Sequence, residues 1–161
     1  MKIAKRATII IAVLALLILG ANCLVITNEN QYSLIRRFGK IDYVIDQAGV
    51  SFKLPFIQSV DTLPKETLLY DLSSSDVITS DKKTMICNSY ILWHITDPLL
   101  FAQTLNSSIG SAESRLDTVV YNSTKNVISS TTQDEVISGR NGTLSDAIIA
   151  SIGNTLSQHG I

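Results

Sequence analysis

Residues that carry chemistry are scarce in this chain: two cysteines, two histidines and one tryptophan among 161 residues. Cys23 lies in a long apolar run and Cys87 in a strand-like run, so no disulfide framework or intrachain pair is expected. Two Cys and two His so far apart lack zinc-ligand spacing, and the cysteines read as small buried hydrophobes. A basic excess is missing as well. The formal net charge is −1, and no Lys/Arg stripe interleaves with aromatics, which argues against a nucleic-acid partner. No G-x-S-x-G elbow, P-loop, G-x-G-x-x-G or H-E-x-x-H occurs, so neither a cofactor nor a metal is expected.

One long run lacks charge altogether. Ala7 to Ile26, "ATIIIAVLALLILGANCLVI", is twenty residues without an ionisable Asp, Glu, Lys or Arg. As a helix it spans about 30 Å, the thickness of a bilayer's hydrocarbon core. The expected anchor is residues 1–26, with Ala7, Ile10, Leu14, Leu17, Ile18, Val25 and Ile26 in the apolar span. Lys2, Lys5 and Arg6 precede it, leaving 10 of the 13 Lys+Arg to face 14 Asp+Glu in the remainder. Cations on the short side place the N-terminus in the cytoplasm and the body across the membrane. A cleaved signal peptide shares the basic start, but its apolar core is shorter, about 7–15 residues. Cleavage, a lipoprotein site at Cys23 and a buried core helix are the competing readings. Intact residues 1–26 in the mature chain would favour the anchor.

After Thr27 the pattern changes to strands. "QYSLIRRF" is rich in β-formers and stops at Gly39. In "VSFKLPFI" Val50, Phe52 and Leu54 share one face, and Ser51 and Lys53 the other, until Pro55 interrupts. Phe52 and Leu54 are expected in the core. Phe56 and Ile57, outside the alternation, are expected to touch lipid or a neighbour. "KETLLYDLSS" is a further strand, and "SSSDVITSDKKT" a hairpin tip. Met85 to Thr96 reads as one strand, with Met85, Cys87, Ser89, Ile91, Trp93 and Ile95 on its mostly apolar face. His94, on the other face, has no partner at a telling spacing.

Helical periodicity then takes over. Asp97 and Pro98 read as a cap and first helical position. Ile109, Ala112, Leu116, Val119, Val120, Ser123 and Val127 form one face of a long helix. "TTQDEVIS" starts a short helix ended by Gly139. Leu144, Ile148, Ile152 and Leu156 repeat every four residues in a last helix closed by Gly160. The fold class is therefore α+β, a mostly antiparallel sheet with helices packed against it. A Ser80–Lys82 hydrolase dyad needs a dry pocket, which a polar hairpin tip does not offer. Asp71, Asp76 and Asp81 lack the ligand density of a calcium loop.

Taken in order, the N-terminal run, "RRFGKI", "AGVSFKLPFIQSV", "VITSDKKTMICNSYILWHITDP", "SGRNGTLSDAI" and "HGI" resemble the SPFH or band 7 family of stomatins, prohibitins, flotillins and the bacterial HflK/HflC pair. The spacing is most similar to the HflC branch of protease modulators. Arg37, Phe38, Gly39, Gly49 and Pro55 match the family's structural motif, although the family generally has proline where Ala48 stands. Residues 27–161 then correspond to an SPFH-type domain, without the final strands, coiled-coil helix and tail that family members carry. The resemblance implies a scaffold without catalysis, in a bacterial cell membrane. It implies an HflK-like SPFH partner, with which a full-length protein forms a hetero-oligomeric ring or cage. It also implies an FtsH-like AAA+ membrane protease enclosed by that cage, and contact with the lipid bilayer. A membrane-anchored serine-type hydrolase, or a secreted binding module if the N-terminus is cleaved, are the alternatives.

Overall fold

Between Leu24 and Pro64, runs of β-branched and aromatic residues alternate with turn-forming pairs, and the chain folds as five short strands. The computed structural model describes residues 23–139 and 142–161. They form two compact units, one ending at Lys65 and the other running from Glu66 to Ile161.

In the first unit, β1 (Leu24–Thr27) pairs antiparallel with β4 (Gly49–Phe52) as a two-stranded ribbon. β2 (Gln31–Arg37) is the centre of a three-stranded antiparallel sheet, flanked by β3 (Lys40–Ile45) and β5 (Gln58–Pro64). Leu34 and Ile35 are both sealed from solvent although they point to opposite faces of β2, so both faces of the sheet are covered there. On the Ser33–Ile35 face the Thr27 hydroxyl donates to Ser33 Oγ over 2.9 Å, joining the ribbon to the sheet. On the other face Leu34 and Leu63 are buried, and Arg36 reaches diagonally to Asp61 in a 2.5 Å ion pair.

The second unit begins with a bent hairpin. β6 (Leu68–Asp71) pairs with β9 (Tyr90–Trp93), and β7 (Ser75–Ile78) with β8 (Thr84–Cys87). The Met85–Thr96 segment is thus two strands, broken at Asn88–Ser89, where the pairing register slips by one residue. Its inner face is as the alternation predicts, with Trp93 and Ile95 buried and Met85 and Cys87 packed against the core residues Val77, Ile128 and Val136.

Helix α1 (Pro98–Leu105) starts where Asp97 Oδ1 accepts from the amides of Leu99 and Leu100, with Pro98 at its first position. Phe101 stacks on Trp93, ring centroids 6.3 Å apart. Helix α2 (Ile109–Ser130) is capped by Ser108 and buries Ala112, Leu116, Val120, Thr124 and Ile128, a stripe at four-residue steps. Leu116 and Ile128 each contribute about 1.5–3 kcal/mol through that burial. Thr132 and Glu135 form the expected capping box of α3 (Gln133–Ser138). Helix α4 (Thr143–Ile152) follows, and a 3₁₀ turn covers Ser157–His159.

Three further expectations are corrected. Val25 and Ile26 are strand residues in β1 rather than the end of an apolar helix, because their amides and carbonyls pair with β4. The anchor residues Ala7, Ile10, Leu14, Leu17 and Ile18 lie outside the described residues. The last helix ends at Gly153, whose positive φ of 55° breaks the helix, and not at Gly160. Phe52 and Leu54 are exposed rather than in the core, for a reason that lies in the ribbon itself.

Candidate functional site

The β1–β4 ribbon is inside out. Its register sets Leu24 opposite Phe52 and Ile26 opposite Val50 on one face, with Val25 opposite Ser51 and Thr27 opposite Gly49 on the other. Val25 and Thr27 are buried against the sheet, so the polar-containing face is covered and the apolar face is bare. Ile26 is 69% exposed, Val50 63% and Phe52 73%. A half-solvated antiparallel sheet normally turns its apolar face inward, which makes this inversion a functional signal.

The loop after β4 extends the same surface. Pro55 ends the strand, and the turn is closed by Gln58 N donating to Leu54 O over 3.0 Å and by Leu54 N donating to Gln58 Oε1 over 2.7 Å. At its apex Phe56 sits at φ +71° and is 92% exposed, with Ile57 partly exposed beside it. Register brings a second apex to this end. Arg37 pairs with both Lys40 and Gln58, so the Phe38–Gly39 turn lies next to the start of β5. Phe38 (φ +49°) and Gly39 (φ +83°) have the two positive φ angles of a type I′ hairpin turn. Gly39 suits that geometry, but phenylalanine does not, and Phe38 is 84% exposed. Two phenylalanines are thus held in left-handed backbone conformations with no packing in return, at a cost of order 1–3 kcal/mol each.

Charge frames this apolar end. Arg37 and Lys40 are exposed in the hairpin that carries Phe38, and Lys53 follows Phe52 directly. Lys53 N donates to Cys23 O over 2.8 Å, so the surface lies where the chain leaves the uncharged N-terminal run. Arg37, Phe38, Gly39, Pro55, Phe56 and Ile57 are therefore brought together at one end of the unit. Gly49 is at the far end of β4, opposite Thr27, and Ala48 is an exposed bend residue beside it. That Leu24, Ile26, Val50 and Phe52 share one exposed face is not legible in the sequence, and only the strand pairing reveals it.

The other candidates do not converge. Ser80 and Lys82 are both exposed, so the dry surroundings that a lysine base requires are not provided. Asp81 is occupied by Thr79 (2.5 Å to its hydroxyl), by the Gln133 amide and by Lys83. The Thr79 hydrogen bond holds the Asp81 carboxyl below its ordinary value, and the Thr132 amide does the same to Glu135. Partial burial pushes the Cys87 thiol up, which keeps it neutral. His94 and Asp76 are exposed on the outer face of the hairpin. Among the described residues no helix is long and apolar enough to cross a membrane.

The profile described as "SPFH domain / Band 7 family" matches residues 25–161. A protein named HflC from Buchnera aphidicola subsp. Baizongia pistaciae is 37% identical over 81 residues, covering 47% of this chain and 25% of that relative. Protein HflC of Haemophilus influenzae is 27% identical over 128 residues, covering 75% and 43% respectively. A protein named modulator of FtsH protease HflC, from Escherichia coli, is 29% identical over 99 residues, covering 58% and 29%. The chain thus spans between a quarter and somewhat under half of the length of these relatives.

Proposed function

The chain belongs to the SPFH domain / Band 7 family, and from that premise we propose that it acts as a membrane-anchored, non-catalytic scaffold that regulates a membrane protease. In this reading it assembles with an HflK-like SPFH partner into a ring or cage around an FtsH-like AAA+ protease. The relatives named as modulators of FtsH protease support the regulatory role. The N-terminus is cytoplasmic and the body extracytoplasmic, from the placement of Lys2, Lys5 and Arg6.

The observation that carries the membrane part is the inverted ribbon. Because Cys23 is a turn residue whose carbonyl accepts from Lys53 N, and β1 starts at Leu24, the uncharged run left for a span is residues 7–22. As a helix, sixteen residues would cover roughly 24 Å, less than the roughly 30 Å hydrocarbon core. A short span is accommodated when the adjoining structure sinks toward the acyl chains. The bare face of the ribbon, with Phe38 and Phe56, is apolar and adjoins the exit of that run. Burying one such side chain contributes about 1.5–3 kcal/mol, so a few of them outweigh the strain at the two phenylalanines. Arg37, Lys40 and Lys53 then meet the headgroups, at about 1 kcal/mol each near an anionic surface.

Affinity purification of the tagged chain from native membranes tests the reading. Recovery of an HflK-like protein together with an FtsH-like protease is expected, and recovery of neither would overturn the scaffold role.

A further inference from the structure

Helix α2 and the bend of the hairpin enclose a cleft of about 270 Å³ within the second unit. One wall is the bend itself, where residues 72–74 fall between β6 and β7 and the facing strand breaks at Asn88–Ser89. Leu72 N donates to Ser89 O over 3.0 Å and holds the two sides of the bend together. The other wall is a stripe of α2, Asp117, Tyr121 and Thr124, at steps of four and three residues. No residue beyond Thr124 borders the cleft, so the C-terminal end of the chain plays no part in it.

Apart from Leu72 and the Tyr121 ring, the lining is made of hydroxyls and one carboxylate. Thr124 is the telling member. It is 7% exposed, yet its hydroxyl has no hydrogen-bond partner among the described residues. Helical threonines elsewhere in the unit behave differently. Thr104 and Thr118, both exposed, donate back to the carbonyls of Leu100 and Ser114. Burying a hydroxyl without a partner is unfavourable, so Thr124 is matched to a polar group that enters the cleft. Asp117, half-buried on the same stripe, likewise makes no ion pair or hydrogen bond through its carboxylate among the described residues.

We propose that this cleft binds a neutral saccharide, one pyranose ring in size. Pockets for drug-sized ligands run from about 300 to 1,000 Å³, so the occupant is smaller than these. A carboxylate accepts from two neighbouring ligand hydroxyls, while serine and threonine hydroxyls both donate and accept. Asp117, Thr124 and Ser89 therefore answer a ring of hydroxyls, and Leu72 with the Tyr121 ring answers its C–H surface. Other chemistries fit less well. An anion would meet Asp117 in a lining without Lys or Arg. A metal ion would find one carboxylate, and among the described residues no group of three or more His, Cys, Asp or Glu could hold one. An apolar ligand would leave Thr124 and Asp117 unanswered. An organic cation stacked on Tyr121 would meet the Lys125 ammonium, 5.8 Å from the ring centroid. The sugar is either free or one unit of a glycan chain.

The test uses the full chain in lipid nanodiscs, with empty nanodiscs as the blank. Methyl α-glucoside, methyl α-galactoside and methyl α-mannoside are titrated in turn, and saturation-transfer NMR of the sugar protons reads binding. At least one should bind with a Kd of about 1 mM, as suits so small a ligand. Asp117→Asn and Thr124→Val should each weaken it about tenfold. Glu113→Gln removes an equal charge one turn earlier on α2, outside the lining, and should change nothing. Trp93 fluorescence reports an intact fold, and if Thr124→Val does not fold, Asp117→Asn decides alone. The trisaccharide of the bound sugar separates the two sources: binding at least as tight identifies a unit of a glycan chain, and exclusion a free sugar. No saturation transfer from any of the three sugars up to about 10 mM overturns the proposal. So does binding that Asp117→Asn leaves unchanged, or tighter binding of inorganic phosphate or methylammonium than of every sugar.

Discussion

Gly160→Ala is the sharpest available test of how the second unit is held together. Gly160 is buried at φ +75°, and its carbonyl accepts from Thr96 N over 2.9 Å and from Asp97 N over 3.3 Å. A Cβ placed there would lie 2.4 Å from Asp97 O and 2.9 Å from Phe101 N. Those two atoms form the first hydrogen bond of α1, also 2.9 Å long, so the added carbon would press directly on it. Backbone on both sides leaves nothing flexible to yield, and the C-terminal turn must lift off. The left-handed conformation costs alanine about 1 kcal/mol, and losing the two hydrogen bonds to Gly160 costs about 1 kcal/mol each. The expected total is about 3 kcal/mol. Gly142→Ala in the same unit is the control. It too is left-handed, at φ +113°, but nothing lies within 4 Å of a Cβ there, so only the conformational cost of about 1 kcal/mol remains. Urea unfolding in micelles, followed by the single tryptophan Trp93 stacked on Phe101, reads both. With a slope of about 2 kcal/mol per molar the midpoints should fall by roughly 1.5 M and 0.5 M. Equal shifts for the two variants would refute the steric argument.

Two further outcomes follow from the surfaces. In a Phe56→Trp/Trp93→Phe chain reconstituted with lipids brominated in their acyl chains, the bromine should quench the new indole. Quenching by aqueous acrylamide alone would remove Phe56 from the bilayer. Asp81 and Glu135 are both held below their ordinary values of 3.8 and 4.5 by hydrogen bonds from Thr79 and Thr132. Their contribution is complete above those values and is lost as pH falls through the lower folded ones, so the urea midpoint should drop below about pH 4. Asp81→Asn with Glu135→Gln should flatten that limb, and an unchanged acid limb in the double variant would exclude these carboxylates as its source.

Much of the second unit was legible because its signals are local. Asp97–Pro98, Thr132–Glu135 and Gly139 specify helix ends through hydrogen bonds within a turn, and all three sit where the sequence puts them. The alternating face of Met85–Trp93 was readable for the same reason. Its division at Asn88–Ser89 was not, since a register slip depends on the partner strand. In the first unit β3 and β5 carry Lys40, Asp42, Ser59 and Asp61 and lack a strong β pattern, so pairing to β2 decides them. Leu24–Thr27 reads as the end of the apolar run because hydropathy counts residues and is blind to a β4 segment more than twenty positions away.

The misplacement of Phe52 and Leu54 has a deeper cause. Period-two alternation states which residues share a face, and nothing in one strand states which face is covered. Val50, Phe52 and Leu54 do share their side, as their spacing requires, but the Thr27–Ser33 contact commits the opposite side to the sheet. In water alone that choice would be unfavourable, because the ribbon could bury Phe52 by turning over. Its persistence together with two phenylalanines at positive φ calls for a compensating environment, which in the proposed reading a bilayer beside the exit of the uncharged run would supply.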